Sequence, residues 1–162
     1  MKINKPQFTQ LQWAGFIIVI ALLFGLFIRF FPTGQTSFPP NDGGMFLSMI
    51  QDLTHSKYIL PEYTSYNLLQ IPYAYPPFGF YTARIISDIF QVSELNILRF
   101  LPPFVNSISI LVFYFLASEI LKSKTLGAIV TCFYALKPGA FGWFVMGGGL
   151  AVLSHHELGL HI

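Results

Sequence analysis

Residues 11–31 are apolar apart from Gln12 and Arg29, and the ten residues before them are mostly polar. At ~1.5 Å per residue the run reaches about 30 Å, the thickness of a bilayer's hydrocarbon core. It is longer than the ~7–15-residue apolar stretch of a signal peptide. Phe30-Phe31-Pro32 also makes a poor cleavage site. The pattern therefore predicts an uncleaved transmembrane helix, with Arg29 in its last turn snorkelling to the interface. A second span is predicted over 102–121, with Pro102 and Pro103 at its start, where missing N–H groups cost least. Its Asn106, Ser107, Ser109 and Ser118 offer polar glue for a neighbouring helix. A third is predicted over 125–146, kinked at Pro138. Lys122-Ser123-Lys124 is a tight connection that makes these two antiparallel.

Between the first and second spans lies a long mixed segment, 32–99. Pro39-Pro40-Asn41-Asp42-Gly43-Gly44 reads as a turn ending at a helix start, which Asp42 can cap. The helix predicted over 44–53 carries Met45, Phe46, Met49, Ile50 and Leu53 on one face, with Ser48, Gln51 and Asp52 opposite. It is amphipathic and too short to span. Asp52 is expected to be solvated. Residues 61–67 and 71–78 are rich in aromatics and proline and suit semi-rigid connectors in an interfacial layer. Residues 78–90 have helical periodicity, but their ~20 Å length falls short of the core. Burying Arg84 and Asp88 in lipid would cost roughly 2.5–3.5 kcal/mol each. A helix lying in the interface is expected there. The fold class is thus an all-α membrane protein: about three transmembrane helices, with short interfacial helices in a long external loop.

Composition agrees. Of 162 residues, 54% are apolar and only 10% charged, and Phe alone supplies 18. A soluble domain is nearer ~25% charged. The net charge of +2 gives no reason to expect nucleic acid as a partner. The single cysteine, Cys132, excludes an intramolecular disulfide framework. No P-loop or G-x-G-x-x-G pattern is present, so nothing indicates a nucleotide site. Lys2, Lys5, Lys122 and Lys124 fall on one side of the three-span arrangement. By the positive-inside rule the amino terminus is cytoplasmic and the 32–99 loop extracytoplasmic. Residues 147–162 read as a Gly-rich end and a truncated tail.

Asn41-Asp42-Gly43-Gly44, then Ala74-Tyr75-Pro76-Pro77-Phe78-Gly79-Phe80-Tyr81, then Ser93-Glu94 through Arg99-Phe100-Leu101-Pro102 follow one another along this topology. In that order they resemble the amino-terminal part of the GT-C class of integral-membrane glycosyltransferases. The likeness is to the branch with protein O-mannosyltransferases and the lipid A aminoarabinose transferase, and it covers about 12–149. The resemblance implies a sugar donor carried on a polyprenyl phosphate, transfer on the extracytoplasmic side, and a bacterial or archaeal cell membrane. It also implies that Asp42 is the acid of the first external loop that orients or deprotonates the acceptor. Relatives have many more spans, so this chain is expected to be inactive alone.

Within that reading, Lys57, Arg84 and Arg99 are candidates to hold a lipid phosphate. Arg84 and Asp88 can equally pair at i,i+4. Tyr75, with Tyr73 and Tyr81, is a candidate to stack on the sugar or isoprenoid, or to form an aromatic belt. No cofactor and no metal ligand set is assigned; a divalent metal is left open, and His155, His156 and Glu157 are a weak set because adjacent histidines point apart on a helix. The partners expected are the lipid bilayer and the donor lipid; the oligomeric state is not readable. The alternative is a non-enzymatic multi-pass protein, a transporter piece or an assembly factor.

Overall fold

A computed structural model describes residues 8–39, 42–140 and 142. Among them five α-helices account for most of the chain: α1 (Gln10–Gln35), α2 (Gly43–His55), α3 (Phe78–Phe90), α4 (Glu94–Ile120) and α5 (Lys124–Leu136). A two-residue antiparallel pair, β1 (Tyr63–Thr64) with β2 (Ile71–Pro72), interrupts the segment expected to be a plain connector. Two of the helices, α1 and α4, are long and apolar enough to cross a membrane.

The fold has two parts. α1, α5 and most of α4 pack as a three-helix bundle through small residues, with Ala14, Ala21, Ala128 and Ala135 buried between them. α2, α3 and the first two turns of α4 form a second layer around Phe46, Met49, Leu53, Phe80, Ile97 and Leu98. Thr125 Oγ1 donates to Gln10 O at 3.3 Å, so the α4–α5 turn lies beside the start of α1. Arg99 bonds the backbone at the far end of α1. The 36–93 segment and the α4–α5 turn therefore lie at opposite ends of the bundle.

Local chemistry explains three of the helix starts. Thr9 and Gln12 form a reciprocal capping box at α1. Ser93 caps α4 and Ser123 caps α5 through their hydroxyls. α3 matches the expected 78–90, and its periodicity was local enough to read.

Three expectations are corrected. α4 begins at Glu94, not at the prolines, and runs through both Pro102 and Pro103. A proline within a helix strips an N–H from the carbonyl four residues back. For Pro103 that carbonyl is Arg99 O, and Thr33 Oγ1 of α1 donates to it at 3.2 Å. A neighbouring helix thus supplies the donor the proline removed. The prolines also mark where α4 passes from the α2–α3 layer into the bundle. Second, α1 continues through Pro32 to Gln35, so Arg29 is not in its last turn; it is fully buried. Third, α5 ends at Leu136, so a kinked helix over 125–146 is not seen in the described part. Lys137 is extended, as a residue before proline prefers, and a 3₁₀ turn covers Pro138–Ala140. At ~1.5 Å per residue α5 reaches about 20 Å. Residues 143–146, the tail 147–162, Lys2 and Lys5 lie outside the described residues.

At the α4–α5 hairpin a Cβ on Gly127 would lie 2.2 Å from Ser118 Oγ, 2.7 Å from Ser118 Cα and 2.8 Å from Ser118 N. Two of those atoms are backbone and cannot swing away. Gly127→Ala is expected to destabilise the bundle by about 1–3 kcal/mol, read as a lower denaturant midpoint in micelles. An unchanged midpoint would mean the hairpin is not packed this closely.

Candidate functional site

The site is built where α1 ends. α1 ends at Gln35, the chain continues through Phe38 and Pro39, and Asp42 stands at the start of α2. Arg99 holds the end of α1: its Nη2 donates to Thr33 O and to Thr36 O, both at 2.8 Å. Thr33 O belongs to the last turn of α1 and Thr36 is its C-cap, a place where a cation is favoured by the helix dipole. The Arg99 guanidinium also lies 5.4 Å from the Phe100 ring centroid. Arg99 therefore anchors the end of α1 that precedes Asp42 in the chain.

Asp42 occupies the N-cap position of α2, but its side chain makes no cap bond. Asp42 contributes only its carbonyl, which accepts the first intrahelical bond from Phe46 N at 3.0 Å. The side-chain cap expected from the sequence is thus absent, and the carboxylate is exposed and outside every ion pair among the described residues. Gly43 is needed for close approach: a Cβ there would lie 2.7 Å from Pro39 Cβ. Gly44 faces the Tyr66 ring, at 3.4 Å.

Tyr75 lies beside the first turn of α2, edge-on to Phe46 with centroids 5.2 Å apart. Tyr73 is buried beneath it and donates to Met49 O at 2.8 Å. Burial, then the field of Asp52, raises the Tyr73 pKa, so it stays a neutral donor.

Lys57 and Arg84 are elsewhere. α2 is 13 residues long, so about 20 Å of helix separates its two ends. Lys57 follows the far end, exposed, with φ of 53°, and Tyr58 follows with φ of 66°. These successive left-handed residues turn the chain so that Tyr58 Oη donates to Asp88. Arg84 pairs with Asp88 and, at 2.5 Å, with Glu94. The Tyr58 hydrogen bond, then the Arg84 cation, hold the Asp88 carboxyl below the usual range. The i,i+4 pair was legible; Tyr58 and Glu94, which complete the cluster, were not. The cluster ties α2, α3 and α4 together. Asp42 and Tyr75 share one end of α2, with Arg99 on the end of α1 that precedes Asp42 in the chain, while Lys57 and Arg84 belong to the other.

Asp52 departs most from the sequence reading. It is buried, and Oδ2 accepts from Thr64 Oγ1 at 2.8 Å and from Ser65 N at 2.9 Å. It anchors β1 to α2, a pairing that periodicity within α2 does not reveal. Among the described residues no group of three or more His, Cys, Asp or Glu side chains is placed to hold a metal ion; His155, His156 and Glu157 lie outside those residues.

An apolar groove of about 290 Å³ opens between α1, α3 and α4, lined by Phe30, Ile86, Val92, Ile97, Phe100 and Phe104 among others. A comparison of the chain with protein-family models, with curated proteins and with solved structures finds no match in any of them.

Proposed function

We propose that this chain contributes the first external loop and its supporting helices to a membrane glycosyltransferase of the GT-C type. Such an enzyme transfers a sugar from a polyprenyl-phosphate donor to an acceptor on the extracytoplasmic side. The observation that carries the reading is Asp42. It is a carboxylate set just beyond a membrane-length helix whose end Arg99 holds, exposed and without a cap bond. A base that takes an acceptor proton must be reachable and unengaged. The apolar groove beside α3 and α4 suits an isoprenoid chain, and Tyr75 is near enough to the α2 start to face a sugar.

The membrane setting rests on α1 and α4. Only 28% and 33% of their most apolar stretches is buried, whereas the core helix of a soluble protein is mostly covered. Phe16, Leu23, Phe27, Val112 and Phe115 all point outward. An amino terminus in the cytoplasm follows from the Lys distribution.

A second reading, a non-enzymatic multi-pass protein, is favoured by one fact. Arg84 and Arg99 direct their guanidinium groups to protein partners rather than to open space. Transfer assays separate the two. Native membranes with and without the chain are given a labelled polyprenyl-phosphate sugar or a labelled nucleotide sugar. Incorporation that requires the chain and uses only the lipid-linked donor is expected. The purified 162-residue protein alone is expected to be inactive, because by the resemblance the donor site needs further spans. Equal incorporation without the chain would leave the non-enzymatic reading.

A further inference from the structure

At the end of the bundle away from Asp42, a cleft of about 580 Å³ opens between the start of α1 and the α4–α5 turn. Leu11, Tyr114 and Phe115 give it an apolar wall, and Lys122, Ser123 and Lys124 give it a basic, hydroxyl-bearing rim. Both lysines are exposed. Lys122 pairs with Glu119, which also lines the cleft, while Lys124 enters no ion pair among the described residues. The rim thus carries one cation more than anions. Phe115 is 69% exposed, directed outward from α4.

We propose that this cleft seats an anionic phospholipid of the cytoplasmic leaflet, phosphate toward Lys122 and Lys124 and acyl chain along Tyr114 and Phe115. The order of chemistries is the argument. A lipid at a leaflet surface presents negative charge outward and hydrocarbon inward, and the cleft presents the matching sequence from turn to helix. A soluble phosphate would leave the aromatic wall uncovered. A juxtamembrane lysine attracts an anionic surface by about 1 kcal/mol, and a flanking aromatic at this depth suits the interface. The inference rests on the membrane placement of α1 and α4 and not on glycosyl transfer, so either can fail while the other stands.

The test is native mass spectrometry of the full 162-residue chain released from micelles. It is supplied with phosphatidylglycerol, with phosphatidylcholine of the same acyl chains, or with inorganic phosphate. Retention of one phosphatidylglycerol in preference to phosphatidylcholine is expected. Lys122→Gln and Lys124→Gln should each weaken it about fivefold, and the pair more than either. Lys137→Gln, an exposed lysine just past the far end of α5, should leave it unchanged. Phe115→Ser should weaken retention of the lipid with the lysines intact. Circular dichroism checks that each variant keeps its helicity. Equal retention of both lipids, or an equal loss in Lys137→Gln, would overturn the proposal. So would a Phe115→Ser variant that binds normally, since bare surface charge would then suffice. Inorganic phosphate binding without lipid preference would overturn it as well.

Discussion

Asp42→Asn is expected to lower glycosyl transfer by about 10²–10⁴-fold, the usual contribution of a general base, with no loss of protein from the membrane. The fold gives little reason for a stability effect. The Asp42 side chain makes no cap bond at the helix start, and Asn is as good an N-cap residue as Asp. What Asn cannot do is accept a proton. Asp52→Asn makes the contrast. Asp52 is buried and its Oδ2 already accepts two hydrogen bonds. Replacing a charged acceptor there weakens bonds worth about 1.5–3 kcal/mol each. Its activity should therefore fall together with its membrane yield. Glu62→Gln, on an exposed carboxylate, should change neither. Transfer by native membranes and immunodetected yield, measured for all three, decide the assignment. Near-normal activity in Asp42→Asn, or a loss that only tracks yield, removes Asp42 from the chemistry.

Arg29→Ala is expected to destabilise the bundle by about 3–6 kcal/mol, because Asn106 Oδ1 and Ala135 O each lose a charged donor worth about 1.5–3 kcal/mol. Arg29 is fully buried; its Nε donates to Asn106 Oδ1 at 2.5 Å. Its Nη1 donates to Gly25 O at 3.1 Å and to Ala135 O at 2.8 Å. Asn106 Nδ2 goes on to Ala140 O at 3.3 Å. Ala135 and Ala140 flank the Lys137-Pro138 break, where α5 stops and its last carbonyls lose helical partners. Arg29 and Asn106 thus serve the backbone at the point where α5 ends. Arg29→Lys keeps the charge but has one point donor group in place of a fork. It should fall between wild type and Arg29→Ala. Asn106→Leu should also destabilise, and the double variant with Arg29→Ala should cost less than the sum by about 0.5–3 kcal/mol. Denaturation in micelles, followed by helicity, measures all four. Strict additivity would show that the two side chains do not act as one unit.

What the sequence by itself determined was what depends on neighbours within a few residues. Unbroken apolar length picked out α1 and the bundle part of α4. The 3–4 spacing of Met45, Phe46, Met49 and Leu53 picked out α2, and α3 was found with its observed bounds. Arg84 and Asp88, one helical turn apart, were readable as a pair for the same reason. Tertiary structure decided where polar groups find partners, because those partners are remote in the chain. Arg29 was expected at the interface, yet two of its acceptors lie 77 and 106 residues away, on α4 and α5. Asp52 looked solvated from its helix face until the strand bearing Thr64 covered it. Pro102 and Pro103 looked like a helix start because a lone helix has no donor for Arg99 O, and Thr33 of α1 supplies one. Asp42 looked like a cap, yet its side chain makes no cap bond and stays exposed. For Arg29, Asp52 and Arg99 O a buried or proline-freed polar group must be satisfied, and only packing determines which distant residue satisfies it.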